Sequence, residues 1–287
     1  APRERGSPAP ISRPIPPAAS PRRPSPGDRR SAAPRAPAGG PADAGADAPA
    51  WTLSERESVA ILRMPTWSLY NSAWDWRGFL DDAFARIASA RGLIVDLRGN
   101  EGGLDCGNEI VARLIDRDLP LAADERRVRF RSTPAALDPY LDTWDDSFRT
   151  LGEGAEDLGD GFYRLAGEPG VSSIAPKGPR FRAPVVVLID AQNSSATFQL
   201  AQIMRENGLG RLVGSPTGGN RRGINGGAFF FLRLPNSGIE VDVPLIGRFP
   251  MTPQPDAGLT PDLLVEPDFA DIAADRDTAL EAALRLF

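Results

Sequence analysis

From residue 51 onward the chain alternates short, fully apolar runs with amphipathic stretches. Ser58–Arg63 (SVAILR), Gly92–Leu97 (GLIVDL) and Pro184–Ile189 (PVVVLI) are continuous apolar segments of strand length, as expected of strands covered on both faces. Trp74–Ala90 carries Trp76, Phe79, Leu80, Ala83, Phe84 and Ile87 at helical spacing, and further helices are predicted over about 107–116, Ser195–Asn207 and Asp277–Leu286. Two strand–loop–helix units result, one turning through the polar sequence RGNEGG and the other through Asp190–Ser194. A short strand at Arg211–Val213 and a glycine-rich loop at Gly214–Gly227 follow. Then comes a hairpin of Ala228–Leu234 and Ile239–Leu245, turning through Pro235–Gly238. Residues 119–180 are less regular, with weak strand signals at Val128–Arg131 and Phe162–Leu165 and a helix near 136–148. The alternation predicts an α/β domain with a mixed sheet flanked by helices.

Composition divides the chain near residue 50. The first fifty residues hold 13 of the 29 prolines and show neither apolar period, so a disordered tail is expected over 1–50 and a core domain over 51–287. The tail starts at Ala1 with no apolar segment of signal-peptide type, and no run of about 18 apolar residues marks a membrane span. Its eight arginines against four acidic residues form the one basic stretch of a chain with net charge -5, which makes nucleic acid an unexpected partner. The single cysteine, Cys106, excludes an internal disulfide, and no Cys/His cluster has metal-ligand spacing, so no metal is expected. The absence of histidine and a single lysine, Lys177, constrain mechanism most. Within this chain a Ser-His-Asp arrangement cannot be completed, and a Ser-Lys dyad has one candidate base.

Two segments could carry chemistry. Asp190–Phe198 (DAQNSSATF) puts two hydroxyls where a buried strand ends and a helix begins. Unpaired N–H groups of a first helical turn stabilise an anion at such a place. The same segment also reads as a helix cap by Asn193, Ser194 or Ser195. Asp96–Gly103 (DLRGNEGG) ends in glycines that let backbone N–H groups approach a ligand. It also reads as a tight turn, with Asp96 and Arg98 a bracing pair.

Taken together, the segments match the ordered motifs of the tail-specific, or C-terminal processing, serine proteases. LIVDLRGNEGG (Leu93–Gly103), QNSSATF (Gln192–Phe198), GSPTGGNR (Gly214–Arg221), GLTPD (Gly258–Asp262) and a last helix from Thr278 appear in the family's order, and the chain resembles that family over Ser58–Phe287. The resemblance implies a crotonase/ClpP-like core, a peptide or protein substrate, no organic cofactor, and a location outside the cytoplasm, periplasmic or extracellular. It implies Ser195 as nucleophile and an oxyanion hole from the N–H groups of Gly102, Gly103 and Ala196, with Thr217 and Asn220 beside the substrate. A crotonase-like acyl-CoA site would share the two-loop geometry, but NSSAT and GLTPD belong to the protease pattern.

The chain departs from that pattern at several positions. Asn220 stands 25 places after Ser195, where the dyad branch has lysine, and neither its amide nor Arg221 or Arg222 is a base. The histidine-using branch carries that residue on a subdomain before the core. Neither that subdomain nor the family's PDZ domain is read in the residues before the core, so a chain truncated or mistranslated upstream of Trp51 is expected. Phe198 replaces the family's glutamate and is expected in the core; Asp256 is the nearest acid before Gly258; Cys106 is expected to be buried and Lys177 to lie in an exposed loop. The loop Gly219–Gly227 either shapes the substrate cleft, with arginine available for a substrate carboxylate, or is a solvated loop. An inactive relative that keeps only a peptide cleft is the alternative function.

Overall fold

The computed structural model describes residues 51–70, 72–166 and 173–287. The expected disordered stretch 1–50 lies outside these. The five helices of the described residues are α1 (Trp76–Arg86), α2 (Cys106–Ala112), α3 (Ser195–Glu206), α4 (Phe269–Ala273) and α5 (Thr278–Leu284).

A six-stranded sheet carries the three apolar runs. Thr52–Arg56 pairs antiparallel with Val59–Arg63, and from there Gly92–Asp96, Val185–Ile189, Arg211–Gly214 and Leu263–Leu264 follow in parallel. Side chains alternate across it. Ala60, Leu62, Leu93, Val95, Val187 and Ile189 pack against Leu80 of α1, Ile110 and Val111 of α2, and Leu200 and Met204 of α3. Val59, Ile61, Ile94, Val186, Leu188 and Val213 meet Ala279, Ala282, Ala283 and Leu284 of α5 on the other face. Burial on both faces removes the apolar–polar alternation of a half-exposed strand, and each fully buried Val or Leu contributes about 1.5–3 kcal/mol.

Residues 119–180 and the predicted hairpin fold differently from the expectation. The hairpin forms, but its strands are longer, Ile224–Arg233 and Glu240–Pro250, and they belong to a second, wholly antiparallel sheet. Its order is Leu141–Asp142, Ile224–Arg233, Glu240–Pro250, Asp124–Val128, Tyr163–Arg164, Glu156–Asp157, over a core of Val128, Leu141, Ala228, Phe230, Leu245 and Ile246. The expected strand Val128–Arg131 is displaced to Asp124–Val128 (DERRV). Its charges conceal a strand because Glu125 pairs with Arg127 and Arg164 within the sheet. The expected helix near 136–148 is two 3-10 turns, Asp138–Tyr140 and Asp146–Thr150, around the short strand Leu141–Asp142. Asp142 accepts from Thr143 N–H at 2.8 Å and Asp145 from Ser147 N–H at 2.9 Å, local bonds that compete with a continuous helix.

Candidate active site

The strands Gly92–Asp96 and Val185–Ile189 are parallel neighbours, so the loops leaving their C-terminal ends, 97–105 and 190–194, emerge side by side. Buried amides lock these loops together. Asn193 Nδ2 donates to Leu97 O at 2.6 Å and Asn100 O at 3.0 Å, while its Oδ1 accepts from Asp190 N–H at 2.9 Å. Asn100 Nδ2 donates to Met64 O at 2.7 Å, and its Oδ1 accepts Gly102 N–H at 2.9 Å. Thr197 Oγ1 lies 2.8 Å from both Asn100 O and Ser194 O, and Ser194 Oγ donates to Glu101 O at 2.9 Å.

Within this frame Ser195 opens α3 with φ +47°, the left-handed region that L-residues seldom adopt. The preceding Ser194 occupies the cap position without a side-chain capping bond, so the capping reading of this segment does not describe its hydroxyls. The hydroxyls of Ser194 and Thr197 are engaged with backbone carbonyls, whereas Ser195 Oγ has no hydrogen-bond partner among the described residues. Gly102 packs directly against the turn. A Cβ placed on it would lie 2.9 Å from both Ser195 Cβ and Ala196 N, and its φ is +103°.

The structure thus brings Ser195, Ala196, Gly102 and Gly103 together, with one correction to the expected donors. Gly102 N–H is bound to Asn100 Oδ1 and is not free to hold a ligand. Gly103 N–H and Ala196 N–H donate to no acceptor among the described residues. Gly103, at φ +134°, is pinned where a Cβ would meet Trp67 O at 2.2 Å. An unpaired Ala196 N–H in the first turn of a twelve-residue helix, next to an unpartnered hydroxyl and packed against the glycine loop that carries a second unpaired N–H, favours negative charge on a ligand oxygen.

Thr217 and Asn220 lie on the neighbouring loop, which is tied to the Ser195 turn by Gly219 N–H donating to Asn193 O at 2.9 Å. Thr217 is buried, and its Oγ1 accepts Leu259 N–H at 2.8 Å, which ties the GLTPD segment to this loop. Asn220 Nδ2 donates to Asp256 Oδ1 at 2.7 Å, and Arg222 Nη1 pairs with Asp256 Oδ2 at 2.9 Å. The hydrogen bonds from Asn220 and Arg222 hold the Asp256 carboxyl below its ordinary value, so it is a poor proton acceptor. Arg221 Nη2 donates to Gln254 Oε1 at 2.9 Å.

The remaining candidates take structural places. Phe198 is 1% exposed, with its ring against Gly219. Arg98 bonds Asp96 and Asp277 with paired contacts of 2.6–2.8 Å, the bracing pair extended to the cap of α5. Lys177 pairs with Glu109 at 3.1 Å and Asp81 at 3.4 Å. Cys106 is buried, and burial pushes its thiol up to about 12. Sequence reasoning gave Asn100 and Thr197 no role; the one available signal was a pair of polar residues flanked by buried segments.

Comparison with known proteins gives a family and a fold. The model of Peptidase family S41 matches residues 58–243, well over half the chain. No curated protein sequence matches it. Among solved structures, a protein from Parabacteroides merdae described as a candidate peptidase is 23% identical, with a TM-score of 0.50 over 82% of this chain and 63% of that one. Mature CPAF complexed with lactacystin is 19% identical, with a TM-score of 0.53 over 79% of this chain and 50% of that one. These likenesses are of fold, and the chain spans less than two-thirds of either protein's length.

Proposed function

The chain belongs to peptidase family S41, and from that premise we propose that it hydrolyses peptide bonds in peptide or protein substrates through an acyl-enzyme on Ser195. The observation that carries the proposal is the free Ser195 hydroxyl on a φ +47° turn, flanked by the unpaired N–H groups of Ala196 and Gly103.

In the proposed reaction Ser195 Oγ attacks the scissile carbonyl while its proton passes to a general base from outside the described residues, which returns that proton to the leaving amine. The carbonyl oxygen becomes an oxyanion held by Ala196 N–H and Gly103 N–H, which donate to no backbone acceptor among the described residues. One such donor is worth about 10²- to 10³-fold in rate. Collapse then breaks the C–N bond, the amine leaves with a proton, and water releases the acyl group. The chain has no histidine, and Lys177 is held by Glu109 and Asp81, so neither supplies the proton acceptor. With the reading goes a location outside the cytoplasm, as the family resemblance implies.

Cleavage of casein by the chain and by its Ser195→Ala variant tests the proposal. Activity abolished by the substitution supports it, and equal cleavage by both forms overturns it. A second reading, a peptide-binding relative without turnover, is favoured by one observation: Asn220, in the position of the dyad lysine, is bound to Asp256. Under it a serine-directed probe labels Ser195 poorly while unstructured peptides still bind.

A further inference from the structure

We infer that Thr197, acting with Asn193 and Asn100, is a positioning residue for this reaction: its hydroxyl holds the glycine loop, and with it Gly103 N–H, against the start of α3. The inference rests on the peptidase reading of Ser195 and adds to it a determinant of the oxyanion hole outside the set of groups that touch substrate.

Asn100 O is a point where the two loops join. This carbonyl receives Asn193 Nδ2 at 3.0 Å and lies 2.8 Å from the Thr197 hydroxyl, which shares its one proton with Ser194 O at the same distance, so two residues of the nucleophile's own segment meet at one peptide unit of the opposite loop. From the same residue, Asn100 Oδ1 takes Gly102 N–H at 2.9 Å. Binding the first glycine's N–H fixes the plane of the peptide before Gly102 and leaves Gly103 as the free donor of the pair. The connection therefore runs from α3 through Thr197 and Asn193 to Asn100, and from Asn100 to the glycines.

All three side chains are fully buried, each 0% exposed. A satisfied buried polar network adds little net stability over well-packed apolar groups of the same shape. What it adds is a single geometry. The loop has no slack on its other side, because Gly102 approaches Ala196 N and Ser195 Cβ as closely as a residue without a Cβ can. Donors of an oxyanion hole act only when about 2.7–3.1 Å from the developing charge, and a site of this kind tolerates about 0.5 Å of error. Losing one grip on Asn100 O is thus expected to lower turnover more than binding.

Thr197→Val removes the hydroxyl at nearly constant shape, and Asn100 O keeps its bond from Asn193, so the chain stays folded. Thr197→Ser restores the hydroxyl. The measurements are kcat and KM on a peptide substrate, affinity for a peptide aldehyde that adds to Ser195, and substrate-peptide binding in a Ser195→Ala background. For Thr197→Val, kcat and aldehyde affinity fall together by about 10- to 100-fold, the scale of a small misplacement of reacting groups. KM and peptide binding stay within about twofold, and Thr197→Ser recovers both losses. Unchanged kcat and aldehyde affinity, a parallel loss of peptide binding, or no recovery by Thr197→Ser overturns the role while leaving the Ser195 reading standing. A wild-type chain with neither Ser195-dependent turnover nor aldehyde affinity overturns both.

Discussion

Asn193→Ala isolates what the buried amide contributes to the join between the two loops. The substitution deletes three hydrogen bonds, but the groups left behind are not equally exposed to loss. Leu97 O retains Asn100 N–H at 3.0 Å, and Asn100 O retains the Thr197 hydroxyl at 2.8 Å. Asp190 N–H loses its one acceptor, Asn193 Oδ1. An orphaned donor costs about 1–3 kcal/mol and each of the two other lost bonds about 1 kcal/mol net, so the chain should lose about 3–5 kcal/mol. Urea unfolding followed by tryptophan fluorescence measures this as a lower midpoint at unchanged slope. Asn193→Asp sharpens the argument. It keeps the shape and the acceptor for Asp190 N–H, yet turns a carboxylate oxygen toward two carbonyl oxygens, so it should be at least as damaging. A loss below about 0.5 kcal/mol for Asn193→Ala, the ordinary scale of a surface substitution, or an Asn193→Asp chain as stable as wild type, would refute the reasoning.

Two further outcomes concern groups away from Ser195. Cys106 should react with a thiol reagent at neutral pH only as the protein unfolds, because burial both raises its thiol to about 12 and blocks access; fast modification of native protein would contradict this. Burial acts to raise the Asp277 carboxyl, but hydrogen bonds from Arg98 and from Leu280 N–H outweigh it and the net displacement is downward. A carboxyl lowered by folding contributes stability that is complete above its unfolded value, about 4, and lost as pH falls through the folded value. Arg98→Ala should therefore flatten the acid limb of a stability–pH curve below about pH 4, and an unchanged limb would assign the acid sensitivity elsewhere.

Much of the central sheet was legible because its physics is local. The runs Val59–Leu62, Gly92–Asp96 and Val185–Ile189 are apolar at every position because helices cover both faces, and α3 begins where a polar turn follows such a strand. The family motifs also marked which loops meet. The strand signal at Phe162–Leu165 corresponds to the strand Tyr163–Arg164, but Asp124–Val128 was not legible: its charges are matched by Glu125 pairing with Arg127 on the same strand and with Arg164, 39 residues away, on the neighbouring one.

The glycines of DLRGNEGG and the serines of QNSSATF read by themselves as a turn and a helix cap as well as a site, and only their match to the ordered family motifs nominated an oxyanion site. Which groups are free was decided only by tertiary structure. Asn100 binds Gly102 N–H, Ser194 binds Glu101 O, Thr197 binds Asn100 O and Thr217 binds Leu259 N–H, leaving Ser195 Oγ with Gly103 and Ala196 N–H. Composition states what a residue can donate or accept, whereas whether that capacity is already satisfied depends on the folded loops, and for Ser194 and Thr197 on partners 93 and 97 residues away, brought within 3 Å by the pairing of two parallel strands.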